Sequence, residues 1–320
     1  MPEVYNPPYK ITLTILNLIE KIGESLGKLK ILRAIPVRAD LHHVNRIKTI
    51  QSTVQIEGNT LSLEQVTAVL EGKRVMAQPR ELQEVRNAFA AYEAMIDWSP
   101  YSKEDLLSAH ALMMAGLVDE MGSFRSGNVG VGGAAGVSHV APQAGRVESL
   151  MYQLLDWLRN TEEHPLIASS VFHYEFEFIH PFQDGNGRIG RMWQSLILSN
   201  WNSVFLSLHL ESMIRDHRDE YYQALSNCNK CGESTAFIEF ILTMIEQALL
   251  EVVQTEQGTT QEITPKTTQE KIIHYLKNEP EMTRRGLAEK LGMSRDGVKY
   301  HLKKLKDKKL IRHIGPKKGG

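Results

Sequence analysis

His180-Pro181-Phe182-Gln183-Asp184-Gly185-Asn186-Gly187-Arg188-Ile189-Gly190-Arg191 places a histidine, an aspartate, an asparagine, two arginines and three glycines within twelve residues. Apolar segments flank it, Val171 to Ile179 before and Met192 to Leu198 after. Gly185 and Gly187 can take backbone angles closed to other residues, and without side chains they let an anion approach. Asn186 between them favours a turn. Ile189, Met192, Trp193, Leu196 and Ile197 then recur at helical spacing.

A glycine turn that feeds a helix leaves backbone N–H groups unpaired at the first turn, where phosphate binds well. Arg188 and Arg191 are three residues apart on one helix face and can clamp two phosphate groups together. Asp184 is a hard oxygen ligand of the kind Mg²⁺ takes alongside phosphates. His180, with an ordinary pKa of ~6.5, can serve as a general base near neutral pH. Together these parts describe phosphoryl or nucleotidyl transfer. A solvated helix–turn–helix corner would explain any one of these residues, but not all of them in so short a stretch. The glycine pattern is neither the dinucleotide-binding nor the P-loop fingerprint.

The stretch resembles the signature of the Fic family, HPFx(D/E)GNGRxxR, at every position. The resemblance implies a mostly helical fold that moves AMP from ATP onto a Ser, Thr or Tyr hydroxyl of a protein, with Mg²⁺ as cofactor. It implies that His180 deprotonates the target hydroxyl and that Asp184 holds the metal. Gly185, Asn186, Gly187 and Arg188, with Ile189 and Gly190 behind them, would cradle the phosphates, and Arg191 would reach the γ-phosphate. Phe182 would anchor the loop by packing.

Upstream, Ile11 to Lys30 is amphipathic after a Pro- and Tyr-containing arm, and a second helix starts near Ala39. It carries Thr53-Val54-Gln55-Ile56-Glu57-Gly58-Asn59, with Thr53 and Glu57 on one face and helix-stopping residues behind them. A carboxylate at a helix C-terminus meets the unfavourable end of the dipole, so another interaction is needed to justify Glu57. The segment is similar to the (S/T)xxxE(G/N) inhibitory motif of Fic proteins. That similarity implies a Glu57–Arg191 ion pair that occupies the arginine needed by ATP. Ser62 with Gln65 reads as a capping box, a helix starts at Pro79, and Ser102 with Asp105 caps another that carries His110, read as a packing histidine.

From Gly122 to Gly145 there are seven glycines and few charges, with an alternation Val129, Val131 that reads as a short hairpin or flexible loop. Its position is similar to the Fic flap, opening with Gly122, Phe124 and Arg125. The similarity places Val129, Gly130, Val131 and Gly132 over the nucleotide and Val137 to Gln143 as the return strand. His173 is read as supporting the signature loop. Tyr221 or Tyr222 would stack on adenine and Asn229 would hydrogen-bond it, again by resemblance. Cys228 and Cys231 form a CxxC without the second pair a structural zinc needs, so two ordinary thiols are expected.

With 42% hydrophobic and 23% charged residues in 320, the chain is ordinary for a folded protein of two or three domains. It shows no apolar run long enough to span a bilayer and no signal-peptide pattern, so a cytoplasmic location is expected. Gln254 to Lys266 is polar and reads as a linker. Helices at Gln269–Lys277 and Thr283–Leu291 and a third capped by Ser294 follow, with Leu310 to Gly315 as a first wing strand and Pro316 to Gly320 as a wing tip. From Ser294 to Lys318 ten Lys/Arg stand against two Asp, so +8; with −1 for the whole chain, −9 is left for the rest. The basic third helix suits a DNA major groove, with Arg295 and Lys299 at the front, or an acidic protein surface.

The expected fold is an all-α Fic helical core with a short β-hairpin flap, joined to a small C-terminal winged-helix (helix-turn-helix) domain. Its expected divisions are 1–100 with the inhibitory helix at about 39–58, 101–253 as catalytic core, 254–266 as linker and 267–320 as winged-helix-like domain. The expected function is an autoinhibited protein adenylyltransferase that acts on a hydroxyl-bearing protein and on itself. The alternatives are a nucleotide-sensing DNA-binding regulator and a hydrolase that removes AMP at the same site. A homodimer is expected only because Fic proteins often self-associate.

Overall fold

The computed structural model describes residues 5–32, 39–133, 136–263, 268–279, 281–307 and 310–312. The chain divides into two compact units, Met1–Val253 and Gln254–Gly320. In the first unit, α1 (Leu13–Leu32), α2 (Ala39–Ile56), α3 (Leu63–Leu70), α4 (Pro79–Ala94) and α5 (Lys103–Met113) precede β1 (Gly130–Gly133) and β2 (Gly136–Val140). The helices α6 (Ala144–Asn160), α7 (Pro165–Ile179), α8 (Asn186–Trp201), α9 (Leu210–Asp216) and α10 (Arg218–Cys231) follow, and α11 (Thr235–Ile263) starts in this unit and runs past Val253. No described helix is long and apolar enough to cross a membrane.

The signature stretch is the connection between α7 and α8, which pack against one another at the centre of the unit. The helix α7 is apolar around most of its circumference, and its residues from Leu166 to Phe176 are all buried, the pattern of a helix enclosed on every side. On one side, Phe172, Phe176, Ile179, Met192, Trp193 and Leu196 join an apolar cluster with α2, α4, α5 and α6. On the other, Leu166, Val171, Tyr174 and Leu198 join a second cluster with α1, α9, α10 and α11. Two layers of helices thus hold the loop's two ends.

The local signals act as their chemistry requires. The side chain of Ser62 accepts from the Gln65 N–H while that of Gln65 accepts from the Ser62 N–H, a complete capping box. The Ser102 hydroxyl accepts from the Asp105 N–H at the start of α5. Of the N-terminal arm, residues 1–4 lie outside the described residues. The next part docks on the body: the Tyr5 hydroxyl donates to Glu175 Oε2 at 2.6 Å, and the Ser234 N–H donates to the Pro8 carbonyl at 2.9 Å.

In the second unit, α12 (Thr268–Asn278), α13 (Arg284–Leu291) and α14 (Arg295–Asp307) enclose a small core of Ile272, Leu287, Ala288, Val298 and Leu305. Thr283 caps α13 through Gly286, and the Ser294 hydroxyl accepts from the Gly297 N–H at the start of α14.

The fold-class expectation is corrected in its β-structure. No strand occurs among the described residues of the second unit, so no wing is described there. Leu310, Ile311 and Arg312, expected to begin a wing strand, are irregular. The Leu310 N–H closes back on the Leu305 carbonyl at 3.0 Å, so this stretch terminates α14 instead of extending. The remainder of the expected strand, residues 313–315, and the wing tip, 316–320, lie outside the described residues. In the first unit the glycine-rich segment pairs over a shorter length than expected: Val129 stays outside the first strand, and the return strand ends at Val140 and not at Gln143. Only Gly130–Gly133 and Gly136–Val140 pair, antiparallel, with a register shift between Val131 and Gly132. Glycines supply no side chains to hold a register. Within the stretch expected as a linker, residues 264–267 lie outside the described residues, and residues 254–263 are helical and continue α11. Their Gln and Glu residues are adequate helix formers, and Gly258 costs only about 1 kcal/mol in a helix.

Ser62→Ala should lower stability by about 1 kcal/mol through loss of the cap, read as a shift in the urea midpoint at unchanged slope.

Candidate active site

His180 ends α7 in the left-handed conformation, φ 51° and ψ 61°. It is the only non-glycine residue with positive φ among the described residues, and such a backbone persists only where its surroundings impose it. Arg125, itself buried, imposes it. Its guanidinium donates to the carbonyls of His180 (2.7 Å), Ile179 (3.3 Å), Gly127 (2.9 Å) and Pro142, and its backbone N–H donates to Pro181 at 2.9 Å. The side chain of Asn186 closes the loop from inside. Its Oδ1 accepts from the Phe182 N–H and its Nδ2 donates to the Phe182 carbonyl, both at 2.9 Å.

Phe182 is fully buried and packs against Phe124, Phe176 and His110, the last stacked at 3.7 Å with rings nearly parallel. His110 Nδ1 accepts from the Gly122 N–H at 2.9 Å, which puts the ring proton on Nε2, where it donates to the Asp184 carbonyl at 3.0 Å. Burial lowers its pKa to about 4, so the ring stays neutral in this role. The sequence reading of His110 as a packing residue is therefore incomplete, because it also braces the backbone of Asp184.

Gly185 turns into α8 at φ 85°, a conformation that favours glycine. Over the first turn of α8 lies the Glu57 carboxylate. Arg191 Nη2 donates to Glu57 Oε1 at 2.7 Å and to the Thr53 carbonyl at 3.2 Å, and its Nε donates to the Thr53 hydroxyl at 3.4 Å. A Cβ built on Gly187 would lie 2.5 Å from Glu57 Oε1 and 2.9 Å from Arg191 Nη1. The guanidinium is 1% exposed. Burial opposes its charge, and Glu57 outweighs that and holds it above its ordinary value. Arg191 Nη1 and Arg188 Nε are buried without a hydrogen-bond partner, and Arg191 Nη1 lies over Gly187. Ile189 and Gly190 are buried in the same turn.

Asp184 is partly exposed, and its Oδ1 accepts from the Gly185 N–H at 2.6 Å and from Arg188 Nη2 at 3.2 Å. Among the described residues there is no cluster of three or more His, Cys, Asp or Glu. A cation on Asp184 would therefore complete its shell with phosphate oxygens and water, as Mg²⁺ does. Unpartnered cationic donors, a glycine floor and one hard carboxylate fit a metal–nucleotide complex.

Behind the recess, His173 Nδ1 meets Gln194 Oε1 at 2.6 Å and its Nε2 meets the Tyr221 hydroxyl at 3.1 Å. Burial lowers its pKa to about 3, so it is neutral. Burial pushes the neighbouring Glu177 up to about 8, and its Oε1 has no hydrogen-bond partner. Tyr221 is thus a core residue, while Tyr222 is 41% exposed beside Arg218, with the guanidinium 5.6 Å from its ring centroid. Asn229 Oδ1 accepts from the Tyr174 hydroxyl at 3.1 Å. Val129 is half-buried, Gly130, Val131 and Gly132 lie in β1, and β2 runs beside α10. Cys228 is buried and Cys231 exposed, and both are free thiols.

A family model described as Fic/DOC family matches residues 100–198, and one described as winged helix-turn-helix DNA-binding matches residues 266–312. Over 217 residues the chain is 31% identical to "Protein adenylyltransferase Fic" of Aedes aegypti, covering 63% of this chain and 41% of that protein. The corresponding protein of Culex quinquefasciatus is 32% identical over 218 residues, with the same coverage. The chain therefore spans about two fifths of the length of these curated relatives. A crystal structure of a Fic family protein from Desulfovibrio desulfuricans G20 superposes with a TM-score of 0.78 at 48% identity, over 95% of this chain and 92% of that one. Fic-1 from C. elegans superposes with a TM-score of 0.59 at 25% identity, over 78% and 72%.

Between the ordinary carboxyl value of 4.5 and about 8, native Glu177 keeps a proton that the unfolded chain has lost. Stability contributed at this position therefore falls as pH rises through that window. Glu177→Gln should flatten that slope and raise stability at neutral pH, as measured by urea unfolding across pH 5 to 8.

Proposed function

The chain belongs to the Fic family, and on that premise we propose that it is a protein adenylyltransferase held inactive by its own Glu57. The observation that carries this reading is the Glu57–Arg191 pair at 2.7 Å, seated over Gly187 where the phosphate cradle opens. The curated relatives named as protein adenylyltransferases support the activity.

On this reading the substrates are ATP and a protein with a Ser, Thr or Tyr hydroxyl. His180 takes the hydroxyl proton, the freed oxygen attacks the α-phosphorus, and the bond from that phosphorus to the bridging oxygen breaks. AMP then sits on the protein and pyrophosphate leaves. The left-handed backbone at His180, fixed by Arg125, sets the position of the base relative to the cradle. The backbone from Gly185 to Gly187, with Arg188, holds the phosphates, because α8 presents its free N–H groups there. Asp184 would hold Mg²⁺, which when bound neutralises phosphate charge. Arg191 serves the terminal phosphate once Glu57 leaves it. Tyr222, on the exposed side of α10, and Asn229 would receive the adenine, with Val129 to Gly132 on the opposite side. In this scheme residues 1–100 carry the inhibitory helix and 101–253 the catalytic core.

A second role is supported by the winged helix-turn-helix family match at 266–312 and by the basic α14: the C-terminal unit would bind duplex DNA.

Incubating the full chain with α-labelled ATP and Mg²⁺ tests the enzyme. Glu57→Gly should raise label on protein about tenfold or more, since a charge-assisted bond of ~1.5–3 kcal/mol is released. His180→Ala should lower it at least about 10²-fold, the scale of a lost general base. Label that ignores both changes would sink the assignment, as would no label in any variant with a cell extract as target. For the C-terminal unit, duplex-DNA affinity of the full chain should drop roughly 10³-fold or more between 50 and 200 mM salt if some six phosphates are contacted. No binding at low salt would remove that role.

A further inference from the structure

We propose that Arg80 is a positioning residue for Asp184: it holds the carboxylate oxygen that a divalent cation needs and yields it when a cation–nucleotide complex arrives. This rests on the reading of the signature loop as a nucleotide site. Asp184 Oδ1 is committed to the Gly185 N–H at 2.6 Å and to Arg188 Nη2 at 3.2 Å. Oδ2 meets Arg80 Nη2 at 3.4 Å. Arg80 lies in the first turn of α4, outside the residues that the Fic/DOC family model matches.

Two arginines thus share Asp184, and they differ in freedom. Arg188 is 4% exposed and belongs to the cradle itself. Arg80 is 54% exposed, so water can solvate it as it moves. It also has somewhere to stay. Its Nε lies 3.4 Å from Glu84 Oε1, one turn along α4, and its Nη1 reaches the Leu117 carbonyl at 3.4 Å. Glu84 is itself fixed, accepting from Asn59 Nδ2 at 2.9 Å and lying 3.9 Å from Arg188 Nη1. A cation and a guanidinium repel one another, and neither can use Oδ2 while the other does. Without nucleotide, Arg80 keeps the carboxylate paired and aimed. With the complex bound, it swings back along Glu84. Arg80 therefore sets the cation concentration at which nucleotide binds, and it takes no part in the chemical step.

The test uses the full chain with Mn²⁺ and a non-hydrolysable ATP analogue, following bound Mn²⁺ by electron paramagnetic resonance and nucleotide by calorimetry. Arg80→Ala should lower the Mn²⁺ concentration for half-maximal nucleotide binding roughly two- to fivefold, the range a half-exposed ion pair supports. Nucleotide affinity at saturating Mn²⁺ and the urea midpoint should not change, and Arg80→Lys should restore most of the wild-type requirement. In an Asp184→Asn background the Arg80 substitution should have no effect on the Mn²⁺ requirement. An unchanged or higher Mn²⁺ requirement in Arg80→Ala, with nucleotide still bound, overturns the role of Arg80 alone. A wild-type chain that binds no nucleotide at any Mn²⁺ concentration overturns the nucleotide reading and this proposal together.

Discussion

A guanidinium buried to 1% exposure cannot stand alone, and the first unit is arranged around meeting that demand at Arg191. An unpaired buried charge is costly enough that its surroundings must supply acceptors. The α2 helix supplies them all from one end: the Thr53 carbonyl, the Thr53 hydroxyl and the Glu57 carboxylate. This explains the otherwise unfavourable position of an acid just past the C-terminus of α2. It also explains why α2 is packed into the same apolar cluster as α8 through Ile47, Ile50 and Val54. The docking of α2 and the pairing of Arg191 are one event, so any anion that claims the arginine must also answer for the packing of that helix end.

Around this pair the signature loop is held by side chains that bond its backbone and by the packing of Phe182. Arg125 clamps carbonyls on both sides of His180, Asn186 bridges the loop through Phe182, and His110 braces Asp184 from beneath its ring stack. Each clamp comes from a different element, which lets the loop keep a left-handed histidine without a glycine there. Neutral rings suit the task. Because burial keeps His110 and His173 far below their ordinary pKa, their hydrogen-bond patterns do not reverse as pH crosses neutrality.

Much of the site was legible because its chemistry is local in sequence. The glycines, arginines and aspartate of the loop lie within one turn and its flanks, and Thr53 and Glu57 fall on one helical face. Long-range partners left no local signal. Arg80 and His110 touch Asp184 from 104 and 74 residues away, and nothing about an arginine in a first helical turn announces that contact. Tyr221 and Tyr222 could not be ranked because adjacent helical positions point about 100° apart, and only packing shows which one is buried. The wing misled for a related reason: Leu310 and Ile311 have strand-like side chains, but the Leu310 N–H goes to ending α14. Polarity alone likewise did not show that helix propensity carries α11 through residues 254–263.

The placement of Glu57 over Gly187 has a consequence for how strongly the recess resists occupation. The carboxylate is a ligand tethered by its own chain, so its effective concentration at Arg191 is set by geometry and does not fall on dilution. A free anion entering the recess competes with that fixed local molarity, and its apparent affinity is scaled down by the fraction of molecules in which α2 has released its hold. Added salt relieves this competition only weakly, because the arginine lies where mobile ions screen poorly. Loosening the tether, through the turn at Gly58 or the bonds at Asn59, would therefore retune affinity across every anion that fits, without altering a single group that touches it.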